Sequence, residues 1–264
     1  MQNLLFGSKT AFDVLLFLFV NEVSFASEMK VCLKTALAPI QNALQRLEKA
    51  EILESYFEKN RKMYAFCSDC VYRWEIEAIV KKAYTQLSSD EKKRYCLVHK
   101  RRAGSVLQPS GNARKILTQF WNRLIAVSEL DLIHRSKKEA STVVRRGKAS
   151  IHIEMPNSRT LIFKEKGAWY VGLSLETCFT NSFLWSLDLN SELITLSHLR
   201  HGKEVPVFLF HLAVKKQGCI ESVDAHLCTN DTYLGSISWD AKSIHFQWRV
   251  IGPQKNEEML YVYR

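Results

Sequence analysis

The fold of the N-terminal region is decided by the stretch APIQNALQRLEKAEIL, residues Ala38–Leu53. Its apolar residues recur at helical spacing, which predicts an amphipathic helix with one buried stripe. The stripe consists of Ile40, Ala43, Leu44 and Leu47. Pro39 stands in the first turn, where a helix tolerates proline. The opposite face carries side chains that can donate to base edges and phosphates, which predicts a DNA-binding surface. Its members are Gln41, Asn42, Gln45, Arg46 and Lys49.

Two predicted helices precede this segment and a predicted hairpin follows it. Ser8 can cap a helix with an apolar stripe that begins at Phe12, and Ser27 can cap a short helix that ends near Leu33. Residues 54–67 contain two short β-like runs around Asn60. The basic residues at the tip are Lys59, Arg61 and Lys62. We therefore predict that this hairpin adds a second DNA-contacting surface.

The order helix, helix, helix, basic hairpin resembles winged-helix transcriptional regulators of the MarR and ArsR kind, from about Leu4 to Cys67. The resemblance implies a recognition helix at Pro39–Lys49 and a wing that touches the backbone or minor groove of double-stranded DNA. Several glutamates make the segment less basic than many DNA-binding modules. They are Glu48, Glu51, Glu54 and Glu58. Because winged helices also serve as protein-interaction or dimerisation modules, that alternative stays open.

Positive charge is concentrated in the middle of the 264-residue chain. Residues 100–148 hold 12 Lys or Arg against 3 Asp or Glu, within a formal net charge of +10. Such a segment beside a DNA-binding module favours phosphate contacts, and a solvated linker is the alternative. We predict a basic helical connector over residues 71–146, with helices from Tyr72 and from Ala113 to Ser128. The apolar stripe of its first helix allows packing within the chain or a homodimer seam.

The cysteine content and the N-terminus bear on the compartment. Seven cysteines, an odd number, fit reduced thiols in the cytoplasm better than a disulfide framework. The apolar run Val14–Val20 after Lys9 imitates a secretory signal, but Asp13 abuts the run and the first helix needs the same residues. The run is also too short for a bilayer. We predict a cytoplasmic protein with no membrane partner.

A zinc site is the one metal hypothesis that the sequence offers. Cys67 and Cys70 form a C-x2-C pair, and Cys96 and His99 form a C-x2-H pair, which together could complete a tetrahedral set. A predicted helix separates the two pairs, so incidental thiols are the favoured interpretation. We predict no metal and no cofactor.

Beyond Arg146 the hydrophobic period changes from helical to alternating. Ile244, Phe246 and Trp248 alternate with polar residues, and Gly-, Pro- and Asn-containing turns separate about nine such strands. Short connections without a helical crossover favour an up-and-down antiparallel barrel. The predicted fold class is therefore a multidomain α+β protein. Its predicted parts are a winged helix over residues 1–70, a connector over 71–146 and a barrel over 147–264.

Four motifs in the barrel region carry a second resemblance. They are HLRHG (His198–Gly202), PVFLFHL (Pro206–Leu212), DAHLCTNDTY (Asp224–Tyr233) and WRVIGPQKNEE (Trp248–Glu258). They look like those of a small bacterial and fungal domain family of unknown function that is regarded as calycin-like, hence lipocalin-shaped. The match covers about Gly147–Arg264. The family's early Gly/Trp signature is weak here, since only Trp121 is available and it falls on a predicted helix.

The motif residues with chemical potential predict a ligand site. They are Arg200, His211, His226, Tyr233 and Arg249. Because arginine forks and imidazoles suit carboxylate or phosphate, we predict a small anionic ligand at the barrel mouth. A network of paired polar groups that pins the strands is the alternative. Since some calycins bind haem, ligation through a histidine is a third interpretation. The candidates for that role are His198, His201, His211 and His226.

An enzymatic function has little support in the sequence. His226 with Asp224 or Asp231 supplies at most an acid–base pair, without a nucleophile or an oxyanion site. Phosphate-loop, zinc-protease and dinucleotide-binding motifs are absent from the sequence. The leading hypothesis is a one-component regulator whose barrel senses a ligand. The alternative is a ligand-binding or ligand-processing barrel whose winged helix serves protein interaction or dimerisation.

Overall fold

The computed structural model describes residues 6–58, 60–97, 111–138, 141–172, 174–228 and 230–264. The chain divides into two compact units. The first is Met1–Ser105 with Ile251–Pro253, and the second is Val106–Val250 with Gln254–Arg264. Among the described residues, no helix combines the length and the apolar character that a bilayer crossing requires.

The described part of the first unit contains helices and one small sheet. The helices are α1 (Lys9–Asn21), α2 (Ala26–Leu33), α3 (Leu37–Lys49), α4 (Arg73–Gln86) and α5 (Ser89–Tyr95). The strands are β1 (Val23–Phe25), β2 (Leu53–Glu58) and β3 (Arg61–Phe66). Strands β2 and β3 form an antiparallel hairpin, and β1 pairs with the other edge of β3. The three predicted helices and the predicted hairpin are therefore present.

Helix α1 forms the centre of the first unit. Every residue from Ala11 to Val20 is buried, which accounts for the continuous apolar run in the sequence. Asp13 lies within this run, and its carboxylate accepts a hydrogen bond of 2.7 Å from the buried Tyr95 hydroxyl. The buried acid therefore has the partner that its burial demands.

The helix starts confirm one predicted cap and correct another. The Ser8 hydroxyl accepts a hydrogen bond from the Ala11 amide at 3.1 Å, as the sequence predicts. The predicted cap at Ser27 is wrong, because α2 already begins at Ala26 and its N-cap Phe25 makes no side-chain hydrogen bond. The short strand β1 ends at Phe25 and leads directly into the helix. The helix therefore begins at Ala26, one residue earlier than predicted.

The first described element of the second unit is helix α6 (Gly111–Ile125), and an antiparallel sheet follows it. Its strands are β4 (Glu129–Lys138), β5 (Ser141–Asn157), β6 (Thr160–Val171), β7 (Ser174–Asp188), β8 (Leu193–His198), β9 (Val207–Lys216), β10 (Cys219–Ser222), β11 (His226–Cys228), β12 (Asp231–Trp239), β13 (Ile244–Ile251) and β14 (Asn256–Tyr263). The strand order is β10-β9-β8-β7-β6-β5-β4-β14-β13-β12-β11, and a β10–β12 pairing closes the sheet. The predicted antiparallel barrel is thus confirmed.

The barrel begins earlier in the chain than the sequence indicated. Strand β4 starts at Glu129, and β5 pairs with it along residues 141–150, within the stretch that resembled a basic connector. Leu130 and Leu132 face the core, while the charged residue between them, Asp131, faces away. High surface charge on two long outer hairpin strands explains why this part resembled a linker. The helix predicted from Ala113 is present as α6.

Helix α6 closes one end of the barrel. Its apolar face joins the barrel core through Leu117, Phe120, Trp121 and Leu124. Its polar side chains contact four turns between strands at that end. These contacts join Arg114 to Glu192, Gln119 to Gln217, the Trp121 indole to the Ser158 carbonyl, and Arg123 to the Asp240 carbonyl.

The barrel wall is interrupted at one strand position. Strands β10 and β11 follow each other along the same edge of β12, with residues 223–225 between them. Strand β10 also pairs with β9, whereas within the described residues no pairing joins β11 to β9. The first part of β9, from Val207 to Phe210, therefore pairs with β8 on one side and faces side chains on the other. The His211 carbonyl accepts a hydrogen bond of 2.7 Å from the Val223 amide, where the backbone contact with the β10 side begins.

Candidate ligand-binding and nucleic-acid surfaces

Four ring side chains bridge the interruption in the barrel wall. Phe208 and His211 come from β9, His226 from β11 and Tyr233 from β12. Ring centroids are 4.7 Å apart for His211 and Phe208, 5.2 Å for Phe208 and His226, and 5.7 Å for His226 and Tyr233. We call these four residues the aromatic–histidine row. Aromatic groups at such distances present faces and edges on which a planar ring can stack.

Polar partners orient both ends of the row. The Thr195 hydroxyl lies 3.0 Å from Nδ1 of His211. At the other end, Lys255 Nζ donates to the Asp231 carboxylate at 2.6 Å and lies 3.5 Å from the Tyr233 hydroxyl. The hydrogen bond to Asp231 raises the pKa of Lys255. The cation that touches the row is therefore already paired.

Burial sets the protonation of the imidazole in the middle of the row. Desolvation lowers the pKa of His226 below its usual 6.5, because burial disfavours the charged form. A neutral imidazole offers one donor nitrogen and one acceptor nitrogen. At neutral pH this position is suited to an uncharged partner with complementary hydrogen-bonding atoms.

The row collects three of the five predicted ligand residues, namely His211, His226 and Tyr233. Arg200 is exposed in the turn after β8, and Arg249 is half-buried on β13. Neither arginine belongs to the aromatic–histidine row. Phe208 joins the row although the sequence reasoning did not select it. A neutral aromatic surface, rather than an arginine fork, is thus the chemistry that the assembled residues share.

The other histidine and acid candidates are dispersed. His198 is half-buried on β8 and stacks on Phe183 at 4.9 Å, and burial together with Arg200 and His201 lowers its pKa. His201 is exposed in the following turn. Asp231, one proposed acid–base partner of His226, is engaged by Lys255.

One buried acid in the barrel interior escaped the sequence reasoning. Glu165 is only 1% exposed, and its carboxyl accepts hydrogen bonds from Asn181 Nδ2 at 3.2 Å and from the Tyr263 hydroxyl at 3.3 Å. Burial raises its pKa to about 7 despite these two donors. A usable signal was present: Leu161, Phe163 and Glu165 occupy alternating positions of one strand, so the acid had to share the inward face.

The predicted DNA-binding face of α3 lies at the surface of the first unit. All five of its predicted residues are exposed: Gln41, Asn42, Gln45, Arg46 and Lys49. A groove of about 620 Å³ runs beside it, bordered by Gln41 and Gln45 on α3 and by Asn60, Arg61 and Lys62 on the hairpin. The remaining lining residues, Phe25, Ala26, Ser27 and Tyr64, include no acid. We call this space the helix–hairpin groove.

The predicted cations of this surface differ in their surroundings. The Arg61 guanidinium lies 4.8 Å above the Phe25 ring. Arg46 extends toward Gly7, where a Cβ would approach its guanidinium to 2.3 Å. Lys62 donates to Glu48 at 2.8 Å, and Glu48 also accepts from Ser55 at 2.5 Å. The side chain of Lys62 is therefore held by an acid of α3. Lys59 lies outside the described residues.

The predicted zinc ligands are spread over several elements. Cys67 and Cys70 are half-buried in the turn after β3, and Cys96 is buried with its thiol 3.8 Å from the Tyr84 hydroxyl. His99 lies outside the described residues. In the described ranges, no group of three or more metal-ligating side chains comes together. The seven cysteines of the chain are all free thiols.

Comparisons with known proteins concern the barrel. A family model described as "Family of unknown function (DUF6314)" matches residues 129–264, which begin at β4. No functionally curated protein matches the sequence. Among solved structures, the chain is similar to the S-type phycobiliprotein lyase CPES from Guillardia theta. That similarity has 11% identity and a TM-score of 0.39, over 56% of this chain and 90% of the lyase. It is too distant to support an argument about function.

Proposed function

The chain belongs to the family of unknown function DUF6314, and from that premise we propose that its barrel binds a small planar molecule at the aromatic–histidine row. The proposal rests on one observation: rings from three strands meet where the wall lacks a backbone pairing between β9 and β11. A ligand can reach ring faces there without breaking a strand pairing. Phe208 is 37% exposed, so part of this surface is open to solvent.

The chemistry of the row favours an uncharged ring with hydrogen-bonding atoms at its edge. Lys255 is paired with Asp231, and the pKa of His226 is lowered, so the row presents little free positive charge at neutral pH. Stacking on Phe208 and a hydrogen bond to an imidazole would supply the binding free energy. The sequence motifs suggested an anionic ligand instead. That ligand was predicted from Arg200 and Arg249, and neither arginine belongs to the aromatic–histidine row.

Replacing Phe208 by alanine tests the site. We expect Phe208→Ala to weaken binding of planar ligands about tenfold, since an aromatic contact contributes on the order of 1 kcal/mol beyond buried area. Ligand-observed NMR on the natural chain, with a panel of neutral heteroaromatic compounds, identifies the binders and measures the loss. The matched control is Leu175→Ala, which removes an exposed apolar side chain on β7. Equal affinities of natural chain and Phe208→Ala would refute the row as the site.

We also propose that the first unit is a winged helix that binds duplex DNA. The specific support is the helix–hairpin groove, which pairs amide side chains on α3 with basic residues on the hairpin, and none of its described lining residues is acidic. Amides suit the base edges of a major groove, and the basic hairpin suits phosphates. Binding to duplex DNA should therefore weaken linearly with salt on logarithmic axes. Indifference to DNA would favour the alternative, a protein-interaction module.

The ion pair between Lys62 and Glu48 gives a sharper test of the groove. Glu48→Gln removes a negative charge and releases Lys62, so we expect duplex affinity to rise about two- to fivefold. The slope of log affinity against log salt should steepen by about one unit. Fluorescence anisotropy over a range of KCl concentrations measures both quantities. Glu75→Gln, an exposed acid on α4, is the control and should change neither by a comparable amount. A fall in affinity for Glu48→Gln would contradict the proposal that the helix–hairpin groove binds duplex DNA.

The predicted homodimer remains a prediction with a defined surface. Val71, Tyr72 and Ile79 lie just before or on α4, and their exposed fractions are 83%, 68% and 40%. Exposed apolar side chains of this size favour an interface. Light scattering of the intact chain determines the oligomeric state.

A further inference from the structure

A second concave surface lies on the outside of the barrel, away from the residues of the aromatic–histidine row. It is a groove of about 810 Å³ over strands β4 to β7, which we call the outer groove. A space of this size matches a small-molecule site. Its existence does not depend on the function proposed above.

Small residues shape the floor of the outer groove. Ala149, Gly167 and Ala168 contribute to it. A Cβ on Gly167 would lie 2.2 Å from the Lys148 carbonyl oxygen and 2.6 Å from the Ala149 Cβ, distances that no side chain tolerates. Glycine therefore permits the close approach of β5 and β6 at this point. Ala168 lies opposite Lys148, on the outward face, and its short side chain leaves the concave space beside the lysine unfilled.

Two lysines project beside this floor. Lys148 is opposite Ala168 and Ser150 is opposite Lys166 in the β5–β6 register, so the lysines are diagonal neighbours on adjacent strands. Both side chains are exposed. The Lys166 carbonyl accepts a hydrogen bond from the Ser150 hydroxyl, but neither lysine ammonium group has an ion-pair partner among the described residues. Two like charges at this spacing repel each other. Flexible lysine stems can converge on one multiply charged anion, which relieves that repulsion.

The remaining polar groups define what else the groove offers. Two acids line the same groove: Asp131 lies opposite Lys148 and Glu129 opposite Ser150 in the β4–β5 register. The Asp131 carboxylate is paired with Arg264. The Thr180 hydroxyl lies opposite Lys166 in the β6–β7 register. Tyr170 lines the same space and supplies a ring. Cationic, hydroxyl and aromatic groups thus lie within one groove.

We propose that the outer groove binds a phosphate monoester attached to a planar ring, as in a mononucleotide. Lys148 and Lys166 hold the phosphate, the Thr180 hydroxyl donates to it, and the ring stacks on Tyr170. Phosphate fits better than a single carboxylate because two ammonium groups require close to two negative charges for neutralisation. The volume suits a single nucleotide rather than an extended strand.

Titration calorimetry with adenosine monophosphate, adenosine and inorganic phosphate tests this assignment. We expect the monophosphate to bind at least about tenfold more tightly than either fragment, because it uses the lysines and the ring together. Equal affinity for inorganic phosphate would overturn the role of the ring. Absence of binding of the monophosphate at millimolar concentration would overturn the site. A short single-stranded oligonucleotide that bound more than tenfold more tightly than the monophosphate would overturn the assignment to a single nucleotide.

A matched pair of double variants separates the site from the general charge of the protein. Lys148→Gln with Lys166→Gln should weaken monophosphate binding at least about tenfold. Lys216→Gln with Lys242→Gln removes the same charge from exposed positions at the end of β9 and in the turn after β12, and should change affinity less than about twofold. Equal losses in the two variants would overturn the proposal. Unchanged thermal unfolding of both variants shows that the folded state is intact.

Discussion

The barrel is expected to lose about 3 kcal/mol of stability as pH rises from 4.5 to 7, and Glu165→Gln should abolish that loss. Glu165 has a pKa of about 7 in the folded chain against an ordinary value of 4.5. Between these two values the folded state binds more protons than the unfolded state. The slope of the free energy of unfolding against pH is proportional to the number of protons bound by the unfolded state minus the number bound by the folded state. That difference is negative in this window, so the free energy of unfolding falls as pH rises.

Burial is the cause of this expected behaviour. The carboxyl of Glu165 lies among barrel-core rings, and the hydrogen bonds from Asn181 and Tyr263 offset only part of its desolvation. Burial raises the pKa of the Tyr263 hydroxyl, and the nearby negative charge of Glu165 raises it further. A glutamine at position 165 keeps one oxygen that can accept from Asn181, and its NH2 group can donate to the Tyr263 hydroxyl oxygen. The amide carries no charge to desolvate.

The measurement is urea unfolding of the natural chain and Glu165→Gln at several pH values from 4.5 to 8.5. Burial lowers the folded-state pKa of His198 and His226, so these groups increase stability as pH rises through about 6.5. That trend opposes the one from Glu165 and is common to both chains. The difference between the two curves therefore isolates Glu165. Glu129→Gln, an exposed acid of the same unit, is the control. Parallel curves for the natural chain and Glu165→Gln would contradict the buried titration.

The antiparallel barrel could be predicted because alternation and turn residues are local signals. The inward positions of β13, such as Phe246 and Trp248, are visible in the sequence and are buried in the structure. The first barrel strands were missed because β4 and the start of β5 carry many charges on their outward faces. Leu130 and Leu132 alone gave a weak apolar pattern against that background.

The aromatic–histidine row could not be predicted as a unit. The register between β8 and β9 shifts after Leu196, so Phe208 rather than Leu209 pairs with Ser197. One inserted residue changes which side chains share a face. The interruption between β10 and β11 then brings His226 toward β9. Both features depend on tertiary pairing, which residue types alone do not specify.

The N-terminal helices and hairpin could be predicted because they too depend on local sequence signals. The side-chain contacts between these elements could not be predicted. The apolar stripe of α3 predicted which of its side chains would be exposed. The ion pair of Glu48 with Lys62 joins two elements that are separate in the sequence. Lys62 therefore resembled a free DNA-contacting cation until the position of the hairpin beside α3 was known.

Helix α6 is expected to be an integral part of the barrel, so Phe120→Ala should lower the free energy of unfolding of the second unit by about 3–5 kcal/mol. Phe120 is fully buried, with ring centroids 6.4 Å from Trp185 and 5.0 Å from Trp239. Its removal leaves a cavity between a helix and strands that four turn contacts hold in place. Such a site cannot easily collapse to refill the space, which puts the loss in the upper range for core truncations.

Denaturant unfolding of the intact chain, followed by tryptophan fluorescence, measures this loss. Of the 6 tryptophans, Trp74 lies in the first unit and the other five lie in the second, so the signal reports mainly on the barrel. Ile125→Ala, at an exposed position of the same helix, is the matched control and should cost less than about 1 kcal/mol. If both variants unfold like the natural chain, α6 does not contribute to the stability of the barrel, and the strands from Glu129 onward are sufficient for a stable fold. A large loss confined to Phe120→Ala instead means that the functional barrel extends beyond the residues that define the family, because its closed end is built by the helix before them.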